Sequence, residues 1–169
     1  MRFHCNGFIL RPFTVDDAAS VARHANNPKV AANLRDQFPH PYTLRDARAF
    51  LKAAAGGTET IFAIEVNGEA VGAIGLIPGT DIERCAAEIG YWLGEAYWGY
   101  GIATEAIRTI TEWALPHFEL TRIFAKPFVE NIGSIRALEK CGYVREGRLC
   151  RAAVKNGEIR DFYIYARVR

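Results

Sequence analysis

The sequence lacks the features that mark membrane, secreted and metal-bound proteins. No apolar run approaches the ~20 residues that a membrane-spanning helix needs, and the apolar part of the opening segment MRFHCNGFIL is too short for a secretory signal. The four cysteines lie far apart and form no C-x-x-C pair, which argues against a disulfide framework or a zinc site. We therefore expect a cytoplasmic protein with reduced, mostly buried cysteines and no metal.

Clustered charge is also scarce. The chain has 21 Lys and Arg residues against 19 Asp and Glu, a net charge of +2, whereas a phosphate-binding surface needs clustered basic residues. The nearest approach to a cluster is Arg145, Arg148, Arg151 and Lys155, which fall on a predicted hairpin and are interpreted as solvated strand charges. A nucleic-acid partner is therefore not expected.

The chain contains what one ordinary folded domain needs. Its 169 residues, half of them hydrophobic, predict a single domain over residues 1–169. The opening strand is predicted over residues 7–13. Helices are predicted to start after Thr14, Pro28 and Thr43, and the third is predicted to stop at Gly56.

The second half of the chain alternates strands and helices. Asn67 and Asn156, each followed by glycine between apolar runs, predict two β-hairpins. A strand, a helix from Ile102, a further strand and a helix capped by Asn131 and closed by Gly142 lie between them. The pattern predicts an α/β fold with about seven strands.

The segment YWGYGIATEA, residues 97–106, places Gly99 and Gly101 directly before a predicted helix. Such a turn favours an anion, because the first N–H groups of a helix have no intrahelical partner and carry partial positive charge. The segment lacks the third glycine of the dinucleotide fingerprint and the Lys-Ser/Thr of a Walker loop. A purely structural turn remains the alternative.

Two further motifs occur with this turn. The first is NIGSIRALEKCGY, with Asn131 and Ser134, and the second is the terminal pattern formed by Asn156, Gly157, Asp161 and Tyr165. Together with the opening ILRPFTVDDA, these motifs resemble the GNAT superfamily of acetyl-CoA-dependent N-acetyltransferases. The likeness is to the ribosomal-protein (RimJ/RimL-like) branch, and it spans essentially the whole chain.

The resemblance implies a GNAT fold, α/β (α+β) in class, with a mixed, mostly antiparallel sheet of about seven strands flanked by helices. It implies a V-shaped opening between the fourth and fifth strands, here residues 87–93 and 122–126, in which acetyl-CoA binds as co-substrate. The turn would receive the pyrophosphate. The implied CoA-binding residues are Ile89, Tyr91, Trp92, Leu93, Trp98, Gly99, Tyr100, Gly101, Ile102, Ala103, Thr104, Asn131, Arg136 and Lys140.

Two residues resemble the family's catalytic positions. Ser134 resembles the general acid that protonates the departing CoA thiolate, and its alternative role is to stabilise a helix start. Glu88 lies where a carboxylate often faces the acceptor, and would take the amine proton directly or through water. Its alternative is an exposed strand charge. Ala152 and Ala153 stand where some ribosomal-protein acetyltransferases carry a carboxylate, which weakens the transfer of a particular base.

The acceptor is expected to meet the loop LRDQFPHPYT, and the alternative is that this loop only packs as a lid. The residues expected to bind the acceptor are Arg35, Asp36, Phe38, His40 and Tyr42. The implied reaction transfers acetyl from acetyl-CoA to a primary amine by direct attack, with a protein N-terminal α-amine favoured. The alternatives are a small-molecule N-acetyltransferase and a non-catalytic acyl-CoA-binding module. A monomer and a homodimer both remain open.

Overall fold

A β-hairpin, rather than the single strand predicted over residues 7–13, opens the chain in the computed structural model, which describes residues 1–55 and 60–169. Strands Phe3–Cys5 (β1) and Phe8–Arg11 (β2) pair antiparallel around a turn at Gly7, whose φ is 81°. Strand β1 has only three residues and no fully buried side chain, so it gives little hydrophobic signal. Strand β2 stops at Arg11 because Pro12 follows.

The early helices follow their capping signals. Thr14 and Asp17 form a reciprocal capping box, in which the Thr14 N–H donates to Asp17 Oδ2 at 2.7 Å. A 3-10 turn, Val15–Asp17, leads into α1, Ala18–Ala25. Helix α2, Pro28–Ala31, begins with proline at its first turn, and α3 spans Leu44–Ala55. The predicted stop of α3 at Gly56 lies outside the described residues.

The remaining elements confirm the predicted order of strands and helices. They are β3 Ile61–Val66, β4 Glu69–Pro78, β5 Ala86–Leu93, α4 Ile102–His117, β6 Arg122–Ala125, α5 Ile132–Lys140, β7 Val144–Lys155 and β8 Glu158–Val168. Both predicted hairpins form. Asn67 and Asn156 have φ angles of 50° and 51° and each is followed by a glycine of positive φ, the geometry that an Asn-Gly turn supplies.

The strands form one eight-stranded mixed sheet in the order β1-β2-β3-β4-β5-β6-β8-β7, flanked by helices. The eighth strand beyond the expected seven is β1. Strands β5 and β6 run parallel, while the registers of β1 with β2, β2 with β3, β3 with β4, β6 with β8 and β7 with β8 are antiparallel. The mixed, mostly antiparallel sheet that was expected is thus confirmed.

Backbone contacts group the chain into two compact units. The first comprises Met1–Gly75 and Tyr91–Ala106, and the second comprises Leu76–Gly90 and Ile107–Arg169. In the first unit α1 and α3 bury Val21, Ala25 and Leu51 against β3 and β4. In the second unit the hydroxyls of Thr111 and Tyr143 hydrogen bond at 2.7 Å among buried residues. One domain over residues 1–169 stays a prediction.

Two surface expectations are wrong. Only Cys141 among the four cysteines is buried, while Cys5 is half-buried and Cys85 and Cys150 are exposed. Lys155, interpreted as a solvated charge, is buried at the end of β7. In the part of the chain that the structure describes, no helix has the length and apolarity needed to cross a bilayer.

Candidate active site

A tight turn with two glycines precedes α4 in the first unit. Gly99 and Gly101 have φ angles of 83° and 80°, which glycine adopts without steric cost. An added Cβ at either glycine would meet no atom within 4 Å, so the space beside the turn is open. The Glu105 N–H donates to the Gly101 carbonyl at 3.0 Å, and the N–H groups of Ile102 and Ala103 therefore precede the hydrogen-bonded part of the helix. This geometry fits a bound phosphate group.

One side chain beside the turn anchors its backbone, and its neighbours leave the space beside the glycines open. The indole N–H of Trp98 donates to the Leu93 carbonyl at 2.7 Å, which ties the turn to the end of β5. Tyr100 is 78% exposed, and Thr104 is half-buried in the first turn of α4. The side chain of Trp98 thus anchors the turn to β5, and the backbone of Trp98 leads directly into Gly99.

An open pocket lies beside this turn. It is lined by Asn6, Gly7, Val66, Ala96, Tyr97, Tyr100 and Ile102. The Asn6 N–H donates to Glu105 Oε1 at 2.9 Å, so the turn between β1 and β2 is joined to the first turn of α4.

Some residues of the predicted acceptor loop pack into the protein, and others are exposed to solvent. The ring of Phe38 lies 4.8 Å from that of Tyr42 and 5.5 Å from that of Trp92, measured between centroids. Tyr42 is buried in the core of the first unit, and burial, assisted by the charge of Asp46, raises the pKa of Tyr42 to about 12. Tyr42 is therefore a protonated core residue at neutral pH.

The other predicted loop residues, Arg35, Asp36 and His40, are exposed. The structure thus brings Phe38, Tyr42 and Trp92 together and leaves the polar loop residues exposed.

Two adjacent asparagines hold this loop and the segment before the glycine turn. Asn26 Oδ1 accepts a hydrogen bond from the Tyr42 N–H at 3.0 Å. Asn27 Nδ2 donates to Glu95 Oε2 at 2.7 Å, and Lys29 pairs with the same carboxylate. These contacts lower the pKa of Glu95, the Lys29 hydrogen bond being the larger cause and the Asn27 bond the second.

The second unit contains the fork between β5 and β6. The parallel pairing covers Ala86 with Arg122, Ala87 with Ile123 and Glu88 with Phe124. Beyond β6 the chain stays with β8, because the Tyr163 N–H donates to the Pro127 carbonyl at 2.9 Å and the Val129 N–H donates to the Asp161 carbonyl at 3.1 Å. Strand β5 continues for five residues past Glu88. The parallel pairing therefore ends at the Glu88 to Phe124 pair, and the V expected beyond it stays a prediction.

An ion pair stands at this fork. Lys126 Nζ lies 3.2 Å from Glu88 Oε2, and the side chains of Lys126 and Glu88 are 31% and 17% exposed. The next residue, Ile89, is buried, as is Leu93. Tyr91 and Trp92 are half-buried. Sequence reasoning selected Glu88 and missed Lys126, which belongs to none of the motifs.

Helix α5 begins as predicted. Asn131 is its N-cap, and its Oδ1 accepts a hydrogen bond from the Ser134 N–H at 3.2 Å. Ser134 is half-buried on the first turn, and Arg136 and Lys140 are exposed along the helix. The serine hydroxyl is thus placed at the N-terminal end of α5.

The terminal motif has a structural role in the second unit. Asp161 accepts hydrogen bonds from Arg148 Nε and from the Arg151 N–H, both at 2.7 Å, where β7 departs from regular pairing. These bonds, that from the Arg151 N–H first, lower the pKa of Asp161. The Tyr165 hydroxyl donates to Glu139 Oε1 at 2.9 Å and ties β8 to α5. The motif therefore shapes the hairpin and positions α5.

No metal cluster accompanies these groups. Within residues 1–55 and 60–169, no three His, Cys, Asp or Glu side chains come together in a way that could hold a metal ion.

Comparisons with known proteins agree with this geometry. Residues 8–144 match the family model described as an acetyltransferase (GNAT) domain. An acetyltransferase of the GNAT family from Bacillus anthracis has a solved structure that superposes with a TM-score of 0.87 at 25% identity, covering 99% of this chain and 98% of that one.

Curated relatives are similar over part or most of their length. "Uncharacterized N-acetyltransferase p20" of Bacillus licheniformis is 29% identical over 93% of this chain and 90% of its own. The ribosomal-protein-serine acetyltransferase of Escherichia coli is 35% identical over 56% of this chain and 54% of its own. The spermidine N(1)-acetyltransferase of Escherichia coli is 27% identical over 90% of this chain and 81% of its own.

Proposed function

The chain belongs to the GNAT family of acetyltransferases, and from this premise we propose that it acetylates the α-amine at a protein N-terminus. Its acyl donor is acetyl-CoA, and it is an acetyl-CoA-dependent N-acetyltransferase. The proposal concerns the acceptor and the residues that act on it.

The first unit fits the acyl donor at the glycine turn. We assign the pyrophosphate to the N–H groups of residues 99–104, because the turn is open and precedes a helix N-terminus. Acetyl-CoA supplies an activated thioester, whose carbonyl is assigned to the backbone of β5 beyond Glu88. In the second unit, Asn131 is assigned to the pantetheine arm, and Arg136 or Lys140 to the adenosine end.

The ion pair between Glu88 and Lys126 is the observation that carries the choice of acceptor. Glu88, the proposed base, already has an ammonium partner, since Lys126 Nζ lies 3.2 Å from Glu88 Oε2. At pH 7 a protein α-amine costs only about 1 kcal/mol to deprotonate, whereas a lysine side-chain amine costs about 4.6 kcal/mol. A site whose proposed base is already paired therefore suits the α-amine, which is the easier amine to deprotonate.

The proposed reaction is a direct transfer. The neutral amine attacks the thioester carbonyl, so that a C–N bond forms and the C–S bond breaks. Ser134 donates a proton to the departing thiolate, and Glu88 takes the proton that the amine loses, directly or through water. One proton is given and one is taken, so the enzyme returns to its starting state once the two groups exchange protons with solvent.

A relative that acts on a ribosomal protein supports this acceptor, although the similarity covers about half of that enzyme. Another relative acts on spermidine, which makes a polyamine the second candidate. Spermidine amines have a pKa near that of lysine and therefore cost more free energy to deprotonate at pH 7 than an α-amine does.

Thiol release from acetyl-CoA, measured against a matched panel, tests the proposal. The panel contains N-terminal peptides, the same peptides with a blocked N-terminus and a free lysine, and spermidine. We expect kcat/KM to be highest for the free N-terminal peptides. Faster turnover of spermidine or of the blocked lysine peptides would overturn the proposed acceptor. Mass spectrometry of the products identifies the acetylated nitrogen.

A further inference from the structure

The glycines within the strands differ in what surrounds them. In β4, a Cβ added at Gly72 would lie 2.4 Å from the Trp92 carbonyl oxygen, so close packing excludes a side chain there. Gly90 in β5 has no such neighbour. Among residues 1–55 and 60–169, no atom outside the two adjoining residues lies within 4 Å of the position that a Cβ at Gly90 would take. The space beside Gly90 is therefore open.

Backbone conformation does not require a glycine at this position either. Gly90 lies in the interior of β5, and its φ is not positive, so an L-residue fits the backbone without strain. Glycine inside a strand also lowers stability, because it loses more conformational freedom on folding than any other residue. A strand glycine without a structural reason indicates that another group approaches the backbone closely at that point.

The open space lies on the face of β5 that carries Glu88. Burial alternates along the strand, with Ala87 and Ile89 buried, so position 90 shares the opposite face with Glu88 and lies roughly 6.5 Å further along. Gly90 is exposed, and it lies beyond the last residue of β5 that pairs with β6. An acceptor whose amine reaches Glu88, directly or through water, therefore has room for its next atoms over Gly90.

The carbon next to the amine distinguishes the candidate acceptors. In a protein N-terminus other than glycine this carbon is branched, because it bears both a side chain and a carbonyl group. In spermidine and in a lysine side chain it is an unbranched CH₂ group. We infer that Gly90 is a specificity-determining residue, whose missing side chain admits the branched carbon next to an attacking α-amine. The inference rests on the proposed function and deepens it.

Two substitutions fill the space by graded amounts. Gly90→Ala adds a methyl group and Gly90→Val adds an isopropyl group, and valine is well suited to a strand. The value of kcat/KM is measured for spermidine and for three peptides that differ only in an N-terminal glycine, alanine or valine.

We expect the loss of activity to follow the branching of the acceptor. Gly90→Ala should lower kcat/KM at least about fivefold for the alanine and valine peptides, and less than about twofold for the glycine peptide and spermidine, because overpacking penalises added volume. Gly90→Val should widen this difference.

Gly147→Ala and Gly147→Val are the matched controls. Gly147 is also an exposed strand glycine, and an added Cβ there would meet no described atom within 4 Å, but it lies at a register shift of β7. Both control substitutions should leave kcat/KM unchanged for every acceptor. The dissociation constant of acetyl-CoA, measured by calorimetry, should stay within about twofold in each Gly90 variant, because an exposed substitution away from the glycine turn has a small effect.

Thermal unfolding separates a role in the fold from a role in acceptor choice. Gly90→Ala should raise the midpoint of unfolding by about 1–4 °C while activity toward the branched peptides falls. A lowered midpoint would mean that Gly90 serves the fold, and it would overturn the inference.

The acceptor series distinguishes failure of the inference from failure of the proposed function. Equal losses for all three peptides, or weaker binding of acetyl-CoA by the Gly90 variants, would overturn the assignment of this space to the acceptor. Either result leaves the N-terminal acceptor standing where the wild-type protein prefers peptides. A wild-type protein that acetylates spermidine and none of the peptides overturns the proposed function itself.

Discussion

At the scale of single residues, we expect the two glycines of the turn to tolerate substitution least. Gly101 has a φ of 80°, which a β-branched residue adopts only with strain, and a valine would also occupy the open space beside the turn. Charge-assisted hydrogen bonds from the turn contribute about 1.5–3 kcal/mol each. We therefore expect Gly101→Val to weaken acetyl-CoA binding at least about 100-fold, as measured by isothermal titration calorimetry.

Trp98→Gln is the matched control for this prediction. Trp98 gives the turn one side-chain hydrogen bond, to the Leu93 carbonyl, and a single neutral hydrogen bond contributes about 1 kcal/mol. Its replacement should change the dissociation constant by no more than about fivefold. Equal losses in the two variants would show that side-chain anchoring, and not the backbone geometry of the glycines, governs binding.

Residue identities were predictable from the sequence where one position fixes its own geometry. Gly99 and Asn131 are such positions, because a positive φ and a helix cap each depend on local chain conformation. Lys126 was not predictable, since its contact with Glu88 depends on the register of β5 and β6, which are distant in sequence. Long-range strand pairing leaves no signature in either segment alone.

At the scale of elements, two residues at the start of α5 are expected to have different roles, one structural and one chemical. Asn131 caps the helix through the Ser134 N–H, so Asn131→Ala should lower the free energy of unfolding by about 1 kcal/mol. Ser134→Ala leaves that backbone hydrogen bond intact. We expect it to lower kcat with saturating acetyl-CoA by up to about 100-fold, without a comparable loss of stability.

Steady-state kinetics and urea unfolding of the two variants check this prediction. A Ser134→Ala protein with unchanged kcat would restrict the serine to the helix start. A change in KM for the acceptor alone would point to acceptor binding in place of proton donation.

Elements bounded by strong turn chemistry were predicted well, and those defined by tertiary contacts were not. The hairpins at Asn67 and Asn156 and the capping box at Thr14 follow from local sequence. Strand β1 has three residues and is defined by its pairing with β2. Such a short strand has too few residues to show the hydrophobic alternation that predicts a strand. The burial of the acceptor loop also depends on tertiary contacts, because Tyr42 packs in the core against Phe38, α1 and α3.

At the scale of the whole molecule, a buried ion cluster links stability to pH. Arg11 donates to both carboxylate oxygens of Asp17, at 2.8 and 2.7 Å, and also pairs with Glu65. Burial alone would raise the pKa of Asp17, but hydrogen bonds from Arg11 and then from Thr14 lower it overall. The cluster joins β2, β3 and the 3-10 turn in the first unit.

The contribution of Asp17 to the free energy of unfolding is expected to decrease as the pH falls. Because the pKa of Asp17 is lower in the folded state, its contribution is fully present above the unfolded value near 3.9 and is lost as pH falls through the folded value. Asp17→Asn should lower the free energy of unfolding by about 3 kcal/mol at pH 7, since it leaves part of a buried cation unpaired. The difference should shrink below about pH 4.

Urea unfolding across pH 3–7 measures this dependence. Asp16→Asn is the control, because Asp16 is exposed and adjacent in the chain. A gap between the wild-type protein and Asp17→Asn that stays constant to pH 3 would contradict the linkage.

The course of β7 has a consequence for the behaviour of the protein in concentrated solution. This strand is 12 residues long, lies at the end of the sheet and is exposed along most of its length. Open edges of this kind add strands from neighbouring molecules and start aggregation. Asp161 accepts a hydrogen bond from the N–H of Arg151, whose φ is 55°, where the register of β7 shifts. An irregular edge is a poor template for a ninth strand, so we expect Asp161 to protect solubility as well as the shape of the hairpin.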